Sequence, residues 1–256
     1  MRFDVAVLSR TGGRARNEDA CGYWTSADAG CWVVSDGAGG HGGGDVAART
    51  VVGNIVREFA AGPRISAEGI ATLIRGANRA VLVRQRSSRD LHDMRATVAV
   101  LAIDCAREFA LWGHVGDTRV YGFRDRQLRF QSRDDSVLQS MIDAGYGSAE
   151  LLRSHPRRGV LLHALGTDEP MPPSPIGDRP VFLRDGDAFL LCTDGLWEYV
   201  GEAQMEHGLA AAANAASWLA ALEAEVLQRA RPGHDNYSAI ALQVSEMGDA
   251  TRFDTL

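Results

Sequence analysis

The chain of 256 residues contains no lysine, and all 27 of its basic residues are arginine. That absence removes Schiff-base catalysis, the G-K-[ST] of a P-loop and the lysine of protein kinases. Cysteine is scarce. Cys21, Cys31, Cys105 and Cys192 show no C-x-x-C spacing, and three of them stand in apolar, strand-like runs where cysteine packs as a small hydrophobe. A zinc site or a disulfide scaffold is therefore not expected. No apolar run nears the ~20 residues that span a bilayer, and Asp4 falls where a signal peptide would keep its apolar region. Both point to a cytoplasmic chain without membrane attachment. Positive charge is also in deficit, with a net charge of −6, so there is no basic footprint for nucleic acid. Internal repeats and low-complexity linkers are missing too. Hydrophobic content of 45% and charged content of 23% are ordinary for a globular protein, and the length suits one large domain. We expect that domain to span residues 1–246, with a frayed tail at 247–256.

What the chain does have is glycine, concentrated after an acid. The stretch from Ser35 to Asp45 follows the apolar run Cys31-Trp32-Val33-Val34 and places six glycines in the eight residues from Gly37 to Gly44. Backbone freed of Cβ atoms lets another group approach closely. Gly37, Gly39 and Gly42 spell G-x-G-x-x-G, with Glu58 at a suitable distance for a dinucleotide fold. That reading fails, because Gly62-Pro63-Arg64 is followed by a second helical pattern rather than a parallel strand. The distinctive feature is Asp36 at the end of a strand, directly before the glycines.

Periodicity orders the rest. Phe3 to Leu8 and Gly30 to Ser35 read as strands; Asp45 to Ala61 and Ser66 to Gln85 read as helices, the second capped by Ser66. From Arg95 the period changes to two, with strands at Thr97 to Ile103, Phe109 to Val115, Arg119 to Phe123 and Gln127 to Gln131, joined by short turns and so antiparallel. Residues 132–166 leave the sheet as an insertion with short helices around Val137 to Asp143 and Ala149 to Ser154, a candidate flap. Its Arg157 and Arg158 read as solvated unless a phosphorylated substrate engages them. Phe182-Leu183 and Asp187 to Cys192 are strands, Leu209 to Ala230 a helix, and Ser238 to Val244 the last strand.

Asp36, Asp117 and Asp194 each stand where a strand meets a glycine-containing turn, while Asp235-Asn236 opens the last strand and Glu18-Asp19 ends the first loop. In a sandwich these junctions collect at one end. Carboxylates that close raise one another's pKa unless cations neutralise them, and oxygen ligands of this kind suit hard divalent ions. Two such ions ~3.5–4 Å apart lower the pKa of a shared water and aim the hydroxide at phosphorus. Arg14 is the candidate for the phosphate oxygens, because its fork pairs with them bidentately and stays protonated.

With Arg14-x-x-Asn17-Glu18-Asp19, Ser35-Asp36-Gly37-Ala38-Gly39-Gly40-His41, Gly116-Asp117-Thr118-Arg119-Val120-Tyr121, Thr193-Asp194-Gly195-Leu196 and Asp235-Asn236 in this order, the chain resembles the type 2C metal-dependent protein serine/threonine phosphatases in their compact bacterial form. The resemblance covers nearly the whole chain. It implies an α+β fold of two stacked, mainly antiparallel β-sheets flanked by α-helices, with the flap at 132–166. It also implies two or three divalent ions, Mn2+ or Mg2+. Asp36 would bridge two of them, Asp194 and Asp235 would hold the first, Glu18 and the Gly37 carbonyl the second, and Asp19 would act through water. Asp117 and Asp194 would hold a third. The implied activity is hydrolysis of phosphoserine and phosphothreonine in proteins by a metal-bridging hydroxide, opposing a serine/threonine kinase, with the protein a monomer.

A pseudophosphatase that binds phosphoprotein without turnover, or a hydrolase of small phosphate esters, are the alternatives. Two departures stand out. Arg133-Asp134-Asp135-Ser136 replaces the usual D-H-S of the flap. Ala38 follows Gly37 where animal members place a proton-donating histidine nearby, which leaves water, His41 or His234 for that task. The first loop is also one residue short, so Arg16 is the fallback for Arg14.

Overall fold

The computed structural model describes residues 1–39, 43–168 and 180–245; His41 and the tail at 247–256 lie outside these described residues. One antiparallel sheet has the order β1 (Arg2–Arg10), β12 (Tyr237–Ser245), β11 (Ala188–Cys192), β8 (Arg119–Arg124), β9 (Gln127–Gln131). The other runs β10 (Val181–Phe182), β7 (Phe109–Val115), β6 (Val98–Asp104), β3 (Ala29–Ser35), β2 (Ala20–Thr25). A short ladder joins β4 (Gly37–Ala38) to β5 (Arg95–Ala96).

Strand alternation builds the layers. Along β3, Trp32 and Val34 face the space between the sheets, where they meet Leu101, Phe189, Leu191, Ile240 and Leu242. Cys31 and Val33 face outward, onto α1 (Gly44–Ala61) and α2 (Ala67–Gln85) through Val51, Ile55, Ile74 and Val81. The last strand divides the same way. Ile240 and Leu242 point inward, whereas Ala239 and Ala241 pack under α6 (Glu202–Ala211) and α7 (Ala215–Arg229) with Trp218, Leu222 and Val226. Fully burying a residue such as Leu101 or Ile240 contributes ~1.5–3 kcal/mol, so two strands with both faces covered anchor the stack. The architecture is the expected helix–sheet–sheet–helix sandwich, and all four cysteines are free. Among the described residues no helix is long and apolar enough to cross a membrane.

Three expectations change. The helix expected from Leu209 to Ala230 is two, because Asn214 accepts from the Ser217 amide at 2.8 Å and the Ser217 hydroxyl lies 3.1 Å from the Asn214 amide, a reciprocal cap that starts α7 afresh. The strand β2, unforeseen, pairs with β3 and puts Ala20 opposite Ser35. The run of strands after Arg95 is not one meander, since β7 and β8 belong to different sheets. The chain crosses between them at Gly116, whose φ of +88° is open to glycine and costly for other residues. That crossing sets Asp117 at the end of the sandwich.

Candidate metal centre

Each of the acids is held by backbone that the local sequence dictates. Ala20 pairs with Ser35, so Glu18-Asp19 enters β2 beside the point where Asp36 leaves β3. Gly37 then runs against the start of α1. Its amide donates to the Glu18 carbonyl at 3.1 Å, and a Cβ on Gly37 would lie 2.0 Å from the Gly44 carbonyl oxygen. On the other side, a Cβ on Gly44 would meet the Gly37 oxygen at 2.6 Å and Glu18 Oε2 at 2.8 Å. The carbonyl and the carboxylate expected to share a cation thus lie beside one glycine. Glycine is required at both positions by close approach.

Neutral side chains lace the acidic loops together. Thr97 donates its amide to the Asp36 carbonyl (2.8 Å), its hydroxyl accepts from the Asp36 amide (3.1 Å), and the same hydroxyl lies 2.5 Å from Thr118 Oγ1. This binds the Asp36 loop to the Asp117 loop. Thr193 Oγ1 donates to Asp19 Oδ2 at 3.0 Å and accepts from the Ser238 amide at 3.0 Å, joining Asp19 to the residue before Asp194. Asn236 accepts from the Glu18 amide (2.8 Å) and donates to the carbonyls of Thr11 (2.7 Å) and Arg16 (2.8 Å). A Cβ on Gly195 would stand 2.0 Å from the Asn236 oxygen, so that glycine admits β12 next to α5 (Asp194–Trp197), the single turn that begins with Asp194.

The electrostatics show that the acids gather. Burial, followed by the charges of Asp19, Asp194, Asp117 and Asp235, raises the Asp36 carboxyl well above its ordinary range. Asp194 is raised by burial, Asp117, Glu198, Asp235 and Asp19. Burial chiefly pushes Asp19 up to about 7, and burial with the charge of Asp134 pushes Asp117 up to about 7 against the pull of Arg119. Glu18 is raised by burial, Asp45 and Asp235 against Arg14 and Arg16. Every acid singled out in the sequence therefore acts on another or is acted on by one.

Asp19 Oδ1 and Asp194 Oδ1 are buried without a hydrogen-bond partner among the described residues. Buried carboxylate oxygens left bare are costly, and a divalent cation satisfies them. The residues present thus fit the metal. Among the described residues, no three of the candidate ligating side chains stand ready around one point; the acids lie within electrostatic reach of one another, and Arg14 Nη2 holds Asp235 Oδ2 at 2.8 Å.

Other candidates fall differently. Ala38 is exposed and has no ionisable atom. His234 Nδ1 lies 3.0 Å from the Arg231 carbonyl, which makes Nδ1 the donor, and its ring sits between Tyr199 and Tyr237. It reads as packing. In the flap, Arg157 is exposed as expected. Arg158 is partly exposed but not free, because its guanidinium binds both carboxylate oxygens of Glu198. Asp134 pairs with Arg119, and Asp135 with His163 Nδ1 at 2.8 Å. The roles of Thr97, Thr193, Asn236 and Trp197 were not anticipated. The closeness of Asn236 to Asp235 and of Thr193 to Asp194 was the signal for two of them.

The family model described as protein phosphatase 2C matches residues 9–231. The serine/threonine phosphatase stp of Listeria welshimeri is 32% identical over 201 residues, covering 75% of this chain and 77% of that protein. The serine/threonine protein phosphatase PstP of Mycobacterium tuberculosis is 30% identical over 191 residues, covering 74% of this chain; the match spans 35% of that longer protein. The crystal structure of the catalytic domain of PstP in complex with two manganese ions superposes with a TM-score of 0.80 at 26% identity, covering 95% of this chain and 99% of that one.

Proposed function

The chain belongs to the protein phosphatase 2C family, and on that premise we propose that it hydrolyses phosphoserine and phosphothreonine in proteins, with residues 1–246 acting as one phosphatase domain. The observation that carries this reading is the half-buried Asp36 carboxyl at the end of β3, toward which the charges of Asp19, Asp194, Asp117 and Asp235 converge. Divalent cations, Mn2+ or Mg2+, supply water activation and charge neutralisation at phosphorus when bound there. Asp36 would be the ligand common to two ions, Asp194 and Asp235 would help to hold the first, and Glu18 with the Gly37 carbonyl would hold the second. Asp19 would act through water, and Asp117 with Asp194 would hold a third ion. Arg14 binds the phosphate. Its pair with Asp235 is half-exposed, so once Asp235 serves a cation the guanidinium is free to turn to the phosphate oxygens. Ala38 cannot protonate the leaving seryl or threonyl oxygen and His234 is engaged in packing, which leaves that step to water or to His41. The substrates are phosphoproteins of a serine/threonine kinase in the cytoplasm.

Phosphate release from a phosphothreonine peptide tests this. Turnover with manganese, abolished by EDTA and reduced at least a thousandfold in Asp36→Asn and Asp194→Asn, is the expected result on the scale of metal-ligand loss. A folded, manganese-loaded wild type that binds phosphopeptides but releases no phosphate would make the chain a binding module instead.

A further inference from the structure

Beneath Asp117 and Asp194 lie charges that the hydrolytic roles leave without a task. The Arg119 guanidinium donates to both oxygens of Asp134 at 2.6 and 2.7 Å, and the two side chains are only 1% and 2% exposed. Its flat face lies 3.6 Å from the centre of the Trp197 ring, and Nη1 donates to Tyr121 Oη at 3.1 Å. A sealed ion pair is weak evidence for stability, because desolvation offsets the attraction and apolar side chains often serve as well. What a bidentate fork does fix is orientation.

The residues so fixed come from three segments. Arg119 stands two residues after Asp117 at the start of β8, Asp134 lies at the entrance of the flap, and Trp197 closes the helical turn that Asp194 opens. Trp197 Nε1 donates to the Asp117 carbonyl at 2.9 Å. The main chain of Asp117 is therefore tied to the turn that carries Asp194 through a ring held flat by Arg119. On the other side the flap grips the same turn. Arg153 Nε donates to the Trp197 carbonyl at 3.0 Å and its Nη2 to Glu202 at 2.8 Å, while Arg158 binds Glu198.

We propose that Arg119, Asp134 and Trp197 form a positioning unit that sets the separation of the Asp117 and Asp194 carboxylates, and with it the affinity for the cation those two share. None of the three is required to touch the cation or the phosphate. The inference rests on the metal-centre reading above and adds the residues that set its geometry. Because Asp134 lies where the flap begins, displacement of the flap is felt at Asp117.

Isothermal titration of the full chain with manganese tests this on wild type, Trp197→Phe and Arg119→Lys, with circular dichroism and thermal melting as the check on folding. Trp197→Phe keeps an aromatic face against the guanidinium and removes the N–H that the Asp117 carbonyl accepts; it also trims a buried ring, and that loss of packing is read separately in the melting temperature. The expected result is about a tenfold weaker Kd for one ion, the one Asp117 would serve, in the range seen for outer partners of metal ligands, with the others unchanged. On a phosphothreonine peptide, kcat should then fall at low manganese and return at high manganese while KM stays constant. Arg119→Lys, which loses the fork, should show the same loss. A natively folded Trp197→Phe with wild-type titration would overturn the proposal, as would equal weakening of every ion together with a lowered melting temperature. If Arg119→Lys fails to fold, Trp197→Phe alone decides. Failure of the hydrolytic reading looks different: wild type would then bind manganese without releasing phosphate, and the titrations would still decide the positioning unit. A wild type that takes up no manganese would sink both.

Discussion

Two arginine–aspartate pairs border the acid cluster, and they differ in almost everything except their chemistry. Arg14–Asp235 makes one contact of 2.8 Å with side chains 56% and 44% exposed. Arg119–Asp134 makes two contacts with both partners sealed. In water such a pair contributes ~0–1 kcal/mol and exchanges partners freely. In the interior, removing one partner strands the other's charge at a cost of ~3–5 kcal/mol. The exposed pair can therefore serve a substrate that arrives and leaves, while the sealed pair can only hold a shape. The sharpest way to break this contrast is truncation of each arginine in turn. Arg119→Ala should lower stability by ~3–5 kcal/mol, which for a chain of this size lowers the melting temperature by roughly 10 °C. Thermal unfolding that shows less than a degree of change would place Asp134 in contact with water after all.

The acids between the two pairs respond to pH in a way that a salt bridge does not. Asp19 and Asp117 are pushed up to about 7 in the folded chain, against an ordinary value near 3.9 when unfolded. Between those values the folded state binds more protons than the unfolded state, so stability falls as pH rises. Metal-free protein should therefore be most resistant to urea near pH 4.5–5 and lose stability, on the order of a few kcal/mol, by pH 8. Manganese should restore most of the loss at pH 8 and little at pH 5. Urea titrations in EDTA that are flat, or that rise with pH, would show that these carboxyls titrate normally and that the cluster is looser than its geometry indicates.

Much of this arrangement was legible in the chain because it is local. Asp36, Asp117 and Asp194 each announce themselves as an acid where a strand meets a glycine-containing turn, and the continuous apolar runs of β3 and β12 mark strands covered on both faces. What was not legible acts across distance or through side chains with no periodic signal. Thr97 meets Asp36 and Thr118, and Thr193 meets Asp19, across long separations in sequence. Neutral hydroxyls carry no pattern that predicts such partners. The strand β2 escaped because Gly22 interrupts it and only half of its surface is covered. The break before α7 lay hidden in an alanine-rich run, Ala210 to Ala213, with Asn214 and Ser217 as the only marks of a cap. Strand period likewise says nothing about which sheet a strand joins, so the crossing at Gly116 needed the fold to reveal it.

The smallest expected effect belongs to the exposed pair, and it sharpens the contrast from the other side. Arg14 is held by Asp235 through a single contact, so Arg14→Ala should leave the unfolding free energy within the about ±0.5 kcal/mol typical of surface changes. Its effect should appear only when a phosphate is present. Loss of a charge-assisted contact to that anion should raise KM for a phosphothreonine peptide about tenfold, equivalent to ~1.4 kcal/mol, with kcat changed far less. Arg16→Ala is the control, since Arg16 is exposed and, like Arg14, acts on Glu18. If Arg16→Ala raises KM and Arg14→Ala does not, the phosphate contact moves two residues along the loop. Arg14–Asp235 would then be an ordinary surface pair, and the contrast with Arg119–Asp134 would lose its functional meaning while keeping its physical one.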